Sequence, residues 1–138
     1  MPTIPAWARD AGLLVFRVAI GSMMLLSHGM PKLLGFAEKM NTFPDPLGVG
    51  STASLSLAIL GEVVASALLV LGLGTRFAAV PFLITMLVAA LIVHAGDPLS
   101  DRELALMYAA AGVTLLLTGP GKLSLDELIR RRRAGAKG

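Results

Sequence analysis

Cysteine is absent from the chain. No disulfide braces it, and no thiolate is at hand for redox relay or iron–sulfur ligation. Any thiol chemistry near it must belong to a partner. Charge is scarce as well: 15% of the residues are Asp, Glu, Lys or Arg, against about 25% in soluble domains. With 55% hydrophobic residues and a mean hydropathy of +0.77, an ordinary water-soluble domain is excluded. Only two histidines are present, His28 and His94, which is thin material for a haem held by two imidazoles. Nor do the histidines and carboxylates follow a metal-ligand spacing, so no metal site is expected.

What remains is an integral membrane protein of one domain, residues 1–138. The net charge of +3 does not point to nucleic acid, because four of the twelve basic residues form one run, Arg130 to Arg133. Such a run after a spanning helix faces the cytoplasm and anionic headgroups.

A spanning helix needs about 20 mainly apolar residues. Four stretches qualify, at about 12–34, 53–74, 77–96 and 103–119, followed by a basic cytoplasmic tail over 122–138. The first contains Arg17 and no clear small-residue cleavage site, so it reads as a retained helix and not a signal peptide. Only "GLGTR" separates the second and third, which requires a tight helical hairpin. The connection at 36–52 is longer and carries Phe36, Met40, Phe43 and "FPDPLGVG". It fits either an interfacial lid or a plain surface loop.

Arg9, Arg76, Lys122, Arg130 to Arg133 and Lys137 fall on one side, and Lys32, Lys39 and Arg102 on the other. Four crossings with this excess place both termini in the cytoplasm. Backbone groups in lipid must be satisfied within the protein, so the expected fold is all-α, a transmembrane four-helix antiparallel bundle. Gly21, Gly61, Ser66 and the alanines of 109–111 provide small residues for close helix contact. "SLDELIRRRR" has a capping-box pattern, Ser124 with Glu127, and reads as a short interfacial helix.

The polar residues within the spans need a reason. An Arg deep in a helix costs ~2.5–3.5 kcal/mol and each large aliphatic neighbour returns only ~0.3–0.6. Arg17 is tolerable if it snorkels inward. Glu62 lies near the middle of the second span, where a short carboxylate cannot snorkel and must be neutral, hydrogen-bonded or paired. Arg17 and His28 are eleven residues apart, three turns, and so share a face, with Lys32 four residues on. Glu62 then falls between Arg17 and His28 in depth and could pair with either. Lys32 is expected at the interface once Pro31 loosens the helix. His94 near the outer end of the third span, with Glu103 and Tyr108 of the fourth, completes a polar pocket in the outer half of the bundle.

The pieces "FRVAIG" at 16–21, "SHGMPKL" at 27–33, Glu62 in "GEVVASALLVLGLGTR", His94 and "GPGKLSLD" at 119–126 resemble, in order and spacing, the DoxX family of small bacterial membrane proteins. The resemblance spans about 13–126. It implies a four-helix fold in the bacterial inner membrane, and it carries over Arg17, His28, Lys32, Glu62, Arg76 and His94. Related subunits occur in thiosulfate:quinone oxidoreductase, and other members are associated with redox and oxidative-stress systems.

Two functions compete on this reading. In the first, the chain is a membrane subunit of a redox system that binds quinone or a similar lipophilic molecule. Arg17, His28, Lys32, Glu62, His94, Glu103 and Tyr108 would contact the ligand, and Glu62 with His28 would relay protons. Electrons would come from a soluble or membrane partner, since the chain has no evident electron-transfer cofactor; it would at most be a quinone-linked oxidoreductase subunit. In the second, it is a non-enzymatic anchor, assembly factor or lipid-binding module. A small proton-coupled transporter is a more distant third and needs a homo-oligomer to supply gated states.

Overall fold

The computed structural model describes residues 3–136, and among them the chain is all helical with no strand. Helix α1 runs Ala6–Leu34, α2 Ser51–Leu71 and α3 Thr75–Val93. These three are long and apolar enough to cross a membrane. Helix α4, Leu99–Thr118, is 20 residues long but opens with Asp101, Arg102 and Glu103, which dilute its apolar character. Helix α5, Leu125–Gly135, follows. Residue Lys137 of the basic count lies outside the described residues.

The helices begin earlier than the apolar stretches do. Helix α1 takes in Arg9 and Asp10, and α4 starts at Leu99, not at Glu103, because Pro98 supplies an extended residue just before it. Helix α2 stops at Leu71, short of 74, where Gly72 takes the left-handed conformation with φ 66°.

Consecutive long helices are antiparallel. Gly21 lies against Ser66 and Val70, and Gly29 against Glu62, so α2 descends as α1 rises. Gly61 meets Pro81 and Thr85 of α3, and Gly112 of α4 meets Phe82 and Leu83. Glycine is used at these crossings because backbones can then approach closely. A Cβ on Gly29 would stand 2.5 Å from the Glu62 carbonyl oxygen. The buried core joins Met24, Leu69, Phe82, Met86, Tyr108 and Leu115 across all four.

Each apolar helix contains one π turn: Leu25–Gly29 in α1, Leu60–Val64 in α2 and Ala89–Val93 in α3. There the ladder widens to five residues, as in Met30 N–H to Leu25 O and Ala65 N–H to Leu60 O. In α1 the wide turn comes just before Pro31, which has no N–H to continue the regular ladder. Such turns rotate every following side chain relative to a regular helix and recur at functional sites. The first two pack on each other.

Candidate functional site

Glu62 sits within the π turn of α2, and Lys32 lies four residues past His28 on α1. Lys32 Nζ donates to Glu62 Oε2 at 2.6 Å, with the two side chains 23% and 8% exposed. The ammonium also approaches the His28 carbonyl at 3.4 Å. Lys32 is thus turned inward onto Glu62 and does not reach for the interface. Gly21 and Gly29 of α1 also lie against α2, so Lys32 shares the side of α1 that faces α2.

Arg17 is elsewhere. It is fully buried at the opposite end of α2 and donates to four carbonyls. Nη1 reaches Leu69 O at 3.1 Å and Val70 O at 2.7 Å, Nε reaches Pro120 O at 3.3 Å, and Nη2 reaches Leu123 O. The last carbonyls of a helix have no partner within it, and a cation there also meets the negative end of the dipole. Arg17 therefore caps α2 and ties down the 119–123 segment; it neither snorkels nor meets Glu62. Gly72 makes room, since a Cβ there would stand 2.5 Å from Arg17 Nη1. Two carboxylates work at the same end. Asp126 accepts from Gly74 N–H at 2.7 Å and Thr75 N–H at 3.0 Å, capping α3, and Asp10 accepts from Lys122 N–H at 3.1 Å.

His28 is half-buried and meets the Tyr108 ring edge-on at 6.0 Å between centroids; Tyr108 meets Phe82 in the same way at 6.1 Å. His94 pairs with Asp97, Nδ1 to Oδ2 at 2.7 Å, on the exposed end of α3. Glu103 is exposed on α4. Of the expected pocket residues, then, Lys32, Glu62, His28 and Tyr108 gather around the α1–α2 crossing, whereas Arg17 lies apart and His94 has a partner of its own. Among the described residues no three His, Cys, Asp or Glu converge as metal ligands.

The cavity itself lies on the far side of Glu62. A groove of about 360 Å³ runs between α2 and α3, walled by Leu57, Ala58, Glu62, Ile84, Thr85 and Val88 among others. Its roof is the long connection, through Phe43, Pro44, Pro46 and Leu47. Asp45 pins that roof by accepting from Gly50 N–H at 2.7 Å, Ser54 Oγ at 2.7 Å and Val49 N–H at 2.9 Å. The Ser54 hydroxyl, then the Gly50 amide, hold its carboxyl below the usual range. The groove is chiefly apolar. It is bordered by Leu57, Leu60 and Ile84, which are 44–55% exposed, so it opens on the apolar outer surface and not into the bundle interior. Ser54 and Thr85 were not foreseen as site residues; the connection with Phe43 and "FPDPLGVG", read as either a lid or a surface loop, forms the roof.

Comparison with known proteins agrees with a membrane location. The DoxX family profile matches residues 12–95. The chain is similar to the inner membrane protein YphA of Escherichia coli (strain K12), 32% identical over 86% of this chain and 91% of that protein. It is also similar to two uncharacterized proteins of Haemophilus influenzae. One is 35% identical over 70% of this chain and 67% of the relative, the other 32% identical over 83% and 87%. No solved structure matches.

Proposed function

The chain belongs to the DoxX family, and we propose that it is a multi-pass inner-membrane protein whose α2–α3 groove takes up a lipophilic molecule with a small polar head. The observation that carries this is the groove. It is roofed by Phe43 and Leu47, bordered by exposed Leu57 and Ile84 and supplied with one ionisable group, Glu62. An apolar cavity with a few placed polar atoms is the usual form of a small-molecule site. In a bilayer, a cleft rimmed by exposed aliphatic side chains is reached from the hydrocarbon.

In this reading α4 is the fourth crossing, the bundle is antiparallel and both termini are cytoplasmic. The basic residues support that orientation: Arg9, Arg76, Lys122 and Arg130 to Arg133 belong to the Arg17 end of the molecule, away from Lys32, Lys39 and Arg102. The finer proposal is a subunit of a redox system. A quinone-type molecule would bind in the groove, Glu62 would exchange a proton at its head with Lys32 behind it, and a partner would exchange electrons with it. The 2.6 Å Lys32–Glu62 contact supports the proton step, since a carboxylate and an amine in direct hydrogen bond can pass a proton between them.

A second reading has its own observation. Arg17 satisfies four backbone carbonyls, and Lys32 and Glu62 satisfy each other, as expected if the polar residues only specify the bundle of a membrane anchor or assembly factor.

Extraction and mass spectrometry of the detergent-solubilised protein separate the two. Wild type is compared with Ala58→Trp, which fills the groove, each checked for folding by thermal unfolding. A stoichiometric lipophile present in wild type and lost in Ala58→Trp supports the binding protein. The same bulk lipid in both supports the anchor.

A further inference from the structure

The side chains of the groove offer polar atoms of one kind. Three side chains with polar atoms line it: Ser54, Glu62 and Thr85. The Ser54 hydroxyl already donates to Asp45 Oδ1 at 2.7 Å, and the Thr85 hydroxyl to Pro81 O at 2.8 Å. A hydroxyl has one hydrogen, so each has only lone pairs left to offer. Glu62 accepts from Lys32 Nζ through Oε2 as the carboxylate of an ion pair, and a carboxylate is an acceptor on both oxygens. Its Oε1 has no partner among the described residues and is not sealed from access. Lys32, the nearby donor, does not line the groove. The roof adds no donor at its prolines, Pro44 and Pro46, which have no N–H, and the Phe43 N–H is engaged by Lys39 O at 2.9 Å.

We infer that the groove selects a lipophile whose head donates hydrogen bonds: an alcohol, phenol or hydroquinone, and not a head that only accepts. This rests on the reading of the groove as a binding site and names the chemistry it takes. A carbonyl head would set its lone pairs against those of Glu62, Ser54 and Thr85, losing its hydrogen bonds and gaining none. A hydroxyl head meets a carboxylate, the stronger class of acceptor. For a quinone–hydroquinone couple the consequence is direct: the reduced form is the one held.

The test uses the full chain in lipid nanodiscs under anaerobic conditions, with binding corrected for partition into empty discs. Three probes share a decyl tail: a 1,4-hydroquinone, the matching 1,4-benzoquinone, and the hydroquinone dimethyl ether. The hydroquinone is expected to bind at least about tenfold tighter than the other two. Glu62→Gln adds an N–H donor at the head and is expected to narrow that ratio mainly by strengthening quinone binding. Thr85→Val removes one acceptor, leaves the Lys32–Glu62 pair intact, and is expected to narrow it less. Quinone or ether binding as tightly as the hydroquinone overturns the inference and leaves the groove reading standing. Binding of none of the three above empty discs overturns the groove reading, and the inference with it.

Discussion

Lys32 Nζ stands 2.6 Å from Glu62 Oε2, across a crossing where Gly29 of α1 lies directly on the Glu62 backbone. Two neighbouring π turns adjoin it, one just before Lys32 and the other containing Glu62. Each charge is tolerable in an apolar surrounding because the other is there.

Removing one partner should therefore cost more than removing both. Breaking a buried pair costs about 3–5 kcal/mol, and Lys32, 23% exposed, places this one toward the lower end. Glu62→Gln and Lys32→Met are each expected to lower the thermal unfolding temperature in detergent. The double variant is expected to regain part of the loss. Strict additivity of the two single effects would show that the pair is not coupled.

Gly29 sets the spacing of the crossing. Gly29→Ala is expected to destabilise by about 1–3 kcal/mol, as overpacking does, because the new Cβ meets main chain that cannot swing aside. Gly12→Ala, with nothing within 4 Å of its Cβ, should be neutral or stabilising by up to about 1 kcal/mol. Equal thermal stabilities for the two variants would refute the close approach.

Arg17 closes the other end of the bundle. Lysine has a single ammonium and cannot reproduce a fork that serves four carbonyls, so Arg17→Lys is expected to lose about 3 kcal/mol. It should also free the 119–123 segment, making the bond after Lys122 more sensitive to trypsin than in wild type. Unchanged digestion at Lys122 would refute the clamp.

Helix α5 has an acid limit. Ser124 Oγ accepts from Glu127 N–H at 3.2 Å, which is half of the expected capping box. The Glu127 carboxylate does not return to Ser124; it takes Arg130 at 2.7 and 2.8 Å and Arg131 at 2.7 Å. Those hydrogen bonds, Arg130 first, lower its pKa from 4.5 to about 2. The pKa is depressed in the folded helix, so its contribution is complete above the ordinary carboxylate range and is lost as pH falls through about 2. The Glu127 side-chain carboxyl resonance is expected to titrate near that value, and Arg130→Ala should raise its midpoint. A midpoint in the ordinary range for wild type would refute the pairing.

Much of this was legible in the chain. Long apolar runs around "LLVFRVAIGSMM", "SLAILGEVV" and "FAAVPFLITMLV" must become helices in lipid, because every backbone N–H and C=O there needs an internal partner. The mid-span position of Glu62 demanded a counterpart, and one exists. Which counterpart was not legible. Lys32 was expected at the interface once Pro31 loosened the helix, whereas α1 continues to Leu34 and turns Lys32 onto Glu62. Nor could the pattern reveal that Arg17 faces the end of α2. The Val70 carbonyl lacks a backbone partner, and the Leu69 carbonyl has only the Gly72 N–H, because α2 ends at Gly72.

The sequence by itself determined the solvent, the helices and their antiparallel order, since these follow from hydropathy, backbone hydrogen bonding and short connections. The tertiary structure alone decided which charges meet and where the cavity lies. Both depend on helix rotation and on the fold of the 43–47 roof. One widened turn changes that rotation without altering the apolar pattern that announces the helix.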